Sequence, residues 1–313
     1  MNFVHLHGHS TFSFLEAIGK PNKIIAKAKE LGMDAIALTD YNGMYGCIKL
    51  YQTAKDEGVK AIIGVELGFV LDYMSPTPPA HIGNIVLLAA NSAGYANLME
   101  IVSFADKTGV QGKPKLDINT LQEYHEGIIA IMGGKESRIG KMMLNQEKEE
   151  KVEEILAMIK QRLGEENVYL EVTAQDEGKV PDTQKVNTAI IALSEKTKTP
   201  CVVDNNYHYI NENDKEAREI ALAIKDGKKV YDEDRRKPQG EFFIMGEDEI
   251  RKVCLKNGYS EQQITQWIET NLSIAEKVVT EIALGQTLFP NYASPEDIVQ
   301  LYEENKEQLV VEE

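Results

Sequence analysis

Cysteine is scarce in this chain: of 313 residues only Cys47, Cys201 and Cys254 are cysteines, with no CxxC spacing between them. That excludes a disulfide scaffold and a cysteine-based zinc ribbon, and it points to reduced thiols in a cytoplasmic protein. No apolar run approaches the roughly 20 residues that a membrane-spanning helix needs. The basic-then-apolar layout of a signal peptide is missing, because the stretch from His5 to Ser13 reads as polar. Basic charge is also in deficit, with 34 Lys and Arg against 50 Asp and Glu and a net charge of −16. Gripping nucleic acid relies on a basic surface that releases counterions, so autonomous DNA binding is not expected. Fixed-period repeats and low-complexity tracts are absent too.

What is present is an alternation of short apolar runs with amphipathic segments. The runs "NFVHLHGH" (2–9), "DAIALTD" (34–40), "KAIIGVEL" (60–67), "NIVLLAA" (84–90), "GIIAIMG" (127–133), "NVYLEVT" (167–173) and "PCVVDNN" (200–206) read as strands. Helices fit at 21–32, 45–58, 93–106, 146–163 and 182–197, the first opened by Pro21 and stopped by Gly32. Apolar strands separated by helices predict a parallel sheet covered on both faces. Seven of them predict an α/β fold, a (β/α)7 barrel with its chemistry at the C-terminal ends of the strands. After residue 210 the pattern turns mainly helical, and the chain ends in an acidic helix with little apolar surface.

Half of the six histidines lie in "HLHGH", residues 5–9. In an extended strand His5, His7 and His9 share one face, about 7 Å between neighbours. Imidazole suits zinc, manganese or iron, and the alternative reading is three polar residues hydrogen-bonded to carboxylates at a barrel mouth. Asp40 and Glu66 end the strands "AIALTD" and "AIIGVE", where a barrel gathers acids that bridge ions and orient water. Asp40 could equally cap the following helix. His208 in "VVDNNYHYI" (202–210) falls at the same end of the predicted barrel.

Taken together, HLHGHSTFSFLEA, ALTDYNGMYG, IIGVE, NIVLLAANSAGYANLMEIVS, GIIAIMGG and VVDNNYHYI resemble, in this order, the PHP (polymerase and histidinol phosphatase) domain of bacterial DNA polymerase III alpha subunits. The resemblance covers residues 3 to 297. It implies a distorted, TIM-barrel-like (β/α)7 barrel over 3–285 and a tail over 286–313 leading toward a polymerase palm absent from these residues, hence an excised domain or split subunit. In active relatives a trinuclear Zn or Mn cluster cleaves phosphoesters, including DNA 3′ ends.

Carried over position by position, the resemblance makes His7, His9, Glu66 and His208 metal ligands, with Glu16 standing where aspartate is usual. Tyr41, Asn84, Gly134 and Asn206 stand where the pattern has donors; a phenol, an amide, no side chain and another amide replace them. His81 lies three residues from the histidine position taken by Asn84. The expectation is a degenerate site holding one weakly bound Zn or Mn ion and no full cluster. Asp40, Glu66 and His208 would be the catalytic groups were the site active. The implied role is a scaffold for DNA replication, with palm and thumb domains and a proofreading exonuclease subunit as partners. The alternatives are an active metal-dependent phosphoesterase or 3′–5′ exonuclease, and a stand-alone binding module.

Overall fold

The structure is a computed structural model that describes residues 3–72, 82–109, 115–285 and 296–305. The chain divides into two compact units, Met1–Glu281 and Ile282–Glu313.

The first unit is built on one seven-stranded sheet. Its order is β1 (Ala35–Leu38), β2 (Lys60–Val70), β3 (Gly83–Ala89), β5 (Ile128–Gly133), β6 (Val168–Thr173) and β7 (Cys201–Asp204), with β4 (Lys115–Asp117) paired off β2. Helices connect the strands with the punctuation their sequences carry. α1 (Pro21–Glu30) starts on proline, buries Ile24, Ile25 and Ala28, and stops at Gly32. α2 is Cys47–Glu57; α3 (Ser92–Thr108) is capped by Asn91, whose side chain accepts the Gly94 amide at 2.9 Å. α6 (Glu149–Leu163) has Glu149 and Glu150 in its first turn and Lys160 and Arg162 in its last, each matching the helix dipole. Its row Val152, Ile155, Leu156 and Ile159 is buried, each such side chain contributing about 1.5–3 kcal/mol. α7 spans Pro181–Thr197.

Three features depart from the sequence expectation. The sheet is not all parallel: β3 runs antiparallel to both β2 and β5, while β1/β2, β2/β4, β5/β6 and β6/β7 are parallel. A parallel return needs a crossover, usually helical, and the 71–82 segment before β3 carries Pro76, Pro78 and Pro79. Short elements were also missed, namely β4, α4 (Ile118–Glu123) and α5 (Arg138–Leu144).

The third departure is "FVHLHGH" (3–9), which forms no ladder beyond a single bridge between Gly8 and Tyr207. It lies between the two edge strands: Ala37 N donates to the His5 carbonyl, Thr39 N to that of Gly8, and His9 N to that of Tyr207, each at 2.8 Å. The Leu6 and His7 amides go to the Asp204 carboxylate at 2.7 and 3.2 Å instead of to a backbone carbonyl, which interrupts the pairing. The segment thereby bonds β1 on one side and β7 and its extension on the other, curling the sheet into a distorted barrel. Gly8 is required there, because a Cβ would lie 2.0 Å from the Tyr207 ring.

An inner apolar layer of Val4, Leu6, Ala37, Ile62, Leu88, Ile129 and Val202 fills the barrel, and Ile274, Ala275 and Val278 join it. The first two of these come from α10 (Glu261–Lys277), which follows α8 (Lys215–Lys225) and α9 (Glu247–Lys256). Buried Asn271 of α10 donates to the carbonyls of Val4 and Val203 and accepts the Val203 amide, tying the N-terminal segment to β7. In the second unit the structure describes α11 (Glu296–Asn305).

Candidate metal centre

Interruption of the first strand decides which histidines meet. A bend at His7 breaks the alternation, so the three rings do not share a face as predicted. His5 turns away: Nδ1 lies 2.9 Å from Asp204 Oδ1 and Nε2 2.9 Å from the Met245 carbonyl. His7 and His9 instead converge on Glu66 of β2, with Nε2 atoms 2.8 and 3.1 Å from its Oε2. One donor atom from each of these three buried residues lies within 4.8 Å of the others, the one such group of His, Cys, Asp or Glu among the described residues.

The trio is electrostatically biased. Burial opposes charge on His7, but Glu171 and Glu66 outweigh it and hold its pKa well above the ordinary value. Burial lowers that of His9 against the pull of Glu66. For Glu66 burial is overcome by His7 and His9, and its carboxyl is held far below the usual range. The second oxygen of Glu66 accepts a hydrogen bond from Asn84 Nδ2 at 2.6 Å. Asn84 therefore turns a donor toward the site where a ligand would offer a lone pair.

The other positions singled out in the sequence, His81 excepted, have definite places. Tyr41 stacks on His9 at 3.9 Å between ring centroids, and its hydroxyl lies 3.4 Å from His208 Nε2. Burial and then Glu66 hold the Tyr41 phenol well above its usual pKa, so it remains a neutral donor. His208 rests against His9 at 4.5 Å, with Nδ1 2.8 Å from the Asn206 carbonyl. Burial and the Arg218 charge lower its pKa well below the ordinary value. Asn206 adopts φ +52° and its buried Oδ1 has no hydrogen-bond partner. Gly134 has φ +67°, a conformation glycine adopts freely. Glu16 pairs with Lys225 at 2.7 Å and Arg236 at 3.2 Å, outside the trio. Asp40 accepts the Ser10 amide and the Ser10 and Ser13 hydroxyls, each at 2.7 Å, and so fixes the turn after the histidines; it does not cap α2. His81 lies outside the described residues.

Sequence reasoning missed two residues. Glu171 of β6 places Oε2 2.7 Å from His7 Nδ1, and Arg218 of α8 lies with its guanidinium 4.5 Å from the Phe242 ring centre while donating to the Glu16 carbonyl. Both carried a signal: a charge within an otherwise apolar strand, or on the buried side of an amphipathic helix, must have a partner.

The donors present fit one divalent ion. His9 Nε2 is a buried nitrogen off the line of any hydrogen bond, and it points with His7 Nε2 at a carboxylate oxygen; two imidazoles and a carboxylate form a familiar three-ligand set. A cluster does not fit. Tyr41 and Asn84 present hydrogen-bond donors, Gly134 presents nothing, and Glu16 is engaged by two cations.

The PHP domain family matches residues 5–175. The DNA polymerase III subunit alpha of Borreliella burgdorferi is 33% identical over 307 residues, covering 94% of this chain and 25% of that protein. The subunit alpha of Treponema pallidum is 31% identical over 302 residues, covering 95% and 25%. The chain thus spans about a quarter of the length of these relatives. A solved structure from Bacteroides vulgatus, described as a two-domain protein containing a predicted PHP-like metal-dependent phosphoesterase, overlaps 82% of this chain and 62% of its own at 13% identity and a TM-score of 0.40, too loosely to bear on function. With a barrel that carries the HxH pair beside Glu66 and a match over more than half its length, the chain belongs to the PHP domain family.

Proposed function

We propose that this chain is the PHP barrel of a replicative DNA polymerase III alpha subunit and serves as a scaffold in DNA replication, with a site reduced to a single Zn or Mn ion. The observation that carries this reading is the fate of the donor positions. His7, His9 and Glu66 converge, whereas Tyr41, Asn84 and Glu16 are bound into other contacts and Gly134 has no side chain. Hydrolysis of a phosphodiester by clustered metals needs one ion to generate hydroxide and another to stabilise the leaving oxygen; a single three-ligand site supplies the first role alone. When bound, the ion would supply Lewis acidity. His7 and His9 would hold it through their Nε2 atoms, and the Glu66 carboxylate would hold it and balance part of its charge. As catalytic groups Asp40 and His208 are poorly placed, since one fixes a turn and the other is buried between His9 and Phe242.

The proposed partners are the remaining polymerase domains, palm and thumb, and a proofreading exonuclease subunit, all in the cytoplasm. The relatives' greater length leaves room for the former, and a net charge of −16 suits protein contacts better than a phosphate backbone. Metal analysis with a 3′–5′ exonuclease assay on the purified chain tests this. One equivalent of Zn or Mn or less, and no nuclease activity above that of His9→Ala, is expected. Two or more equivalents, with activity lost in His9→Ala, would establish a working phosphoesterase instead.

A further inference from the structure

We propose that Glu171 is the positioning residue of this ion site, fixing the His7 ring from behind so that Nε2 faces the ion; the proposal rests on the one-ion reading above. Glu171 sits in the apolar run of β6 with 2% exposure, so its carboxylate has been brought out of water to meet a particular partner. That partner is His7 Nδ1 at 2.7 Å, while the opposite nitrogen of the same rigid ring lies 2.8 Å from Glu66 Oε2. A ring held at Nδ1 by a carboxylate has both its tautomer and its Nε2 direction set, and outer partners of this kind tune metal affinity.

Gly134 makes room for the arrangement. A Cβ there would lie 3.1 Å from Thr173 Oγ1 and 3.8 Å from Glu171 Oε1, so a side chain at 134 would grow toward the carboxylate. Thr173 Oγ1 in turn lies 3.4 Å from that oxygen. Position 134 is one where the family pattern has a ligand. Its loss and the burial of Glu171 beside it are thus neighbouring features of one pocket. With Oε2 bonded to Nδ1, the carboxylate stands across the imidazole from Nε2 and acts through His7 and not on the ion.

Titration of the purified chain with Zn(II) or Mn(II) against a chromophoric chelator tests this. Glu171→Ala is expected to weaken the ion about 10- to 100-fold, and Glu171→Gln, which keeps a neutral acceptor of the same shape, by less. In a His7→Ala background the further change Glu171→Ala is expected to leave the weakened affinity the same within about twofold, because its route to the ion is gone. Circular dichroism and urea unfolding in chelator identify the folded variants, and Glu171→Gln carries the test should the alanine variants unfold. Equal affinity in parent and Glu171→Gln and Glu171→Ala overturns the proposal, as does a Glu171 effect that persists without His7. A parent chain that binds neither metal overturns the one-ion reading itself, and the positioning role with it.

Discussion

The two sides of the barrel mouth are built from different contacts. On the side of β2 and β6, ionisable groups remain in contact: His7 lies between Glu66 and Glu171, and His9 faces Glu66. On the side of β7 and α8 the contacts are aromatic and cationic. Tyr41 stacks on His9, His208 is buried behind it, and Arg218, Lys225 and Arg236 gather about Glu16. The first side keeps groups that a divalent ion would join without rebuilding. The second places fixed positive side chains and a phenol where the family pattern calls for negative or lone-pair donors, and an added ion there would meet like charge. Most of the buried ionisable groups at the mouth have a protein partner, whereas Asn206 Oδ1 is buried without one.

Breaking the first side is expected to have the largest effect. His7→Ala removes the link between two buried carboxylates, and loss of one member of such a pair costs about 3–5 kcal/mol, measurable by urea unfolding in chelator. On the second side, Arg218→Met keeps much of the stem but loses the bond to the Glu16 carbonyl and the contact with Phe242. A cost of about 2 kcal/mol is expected, with metal affinity unchanged; a fall in affinity would mean that the two sides are coupled.

The pH dependence of stability in chelator sharpens the contrast, because the histidines carry opposite signs. The raised pKa of His7 means its contribution is complete below the unfolded value of about 6.5 and is lost as pH rises through its folded value. The lowered values of His9 and His208 mean theirs is complete above about 6.5 and is lost as pH falls. Parent minus His7→Gln is thus expected to shrink from pH 6 to pH 9, and parent minus His208→Gln to shrink from pH 7 to pH 5. The smallest effect is expected of Tyr41→His, which restores a family donor. Stability changes by about 1 kcal/mol or less, and metal stoichiometry does not rise, because Arg218 and the paired Glu16 still occupy that side.

Much of the fold was legible because apolar runs such as "AIIGVE" and "NIVLLAA" and boundary residues such as Pro21 and Gly32 act locally. Short elements were not: β4 has three residues, and its place is set by pairing with β2. Strand direction was misread at β3 because run composition does not report the neighbour's orientation. The convergence of His7, His9 and Glu66 was suggested by HxH and a strand-end glutamate, yet the parting of His5 from His7 depends on Asp204, some two hundred residues away, taking the Leu6 and His7 amides. Glu171 and Arg218 were visible as charges in apolar settings, but nothing nearby in sequence named their partners.

The central claim, that the mouth accommodates a single ion, is tested most directly by anomalous diffraction from crystals equilibrated with Mn(II). The account predicts at most one peak, between His7 Nε2, His9 Nε2 and the Glu66 carboxylate, with Glu171 still on His7 Nδ1. Two neighbouring peaks, the second beside Tyr41 and His208, would contradict it.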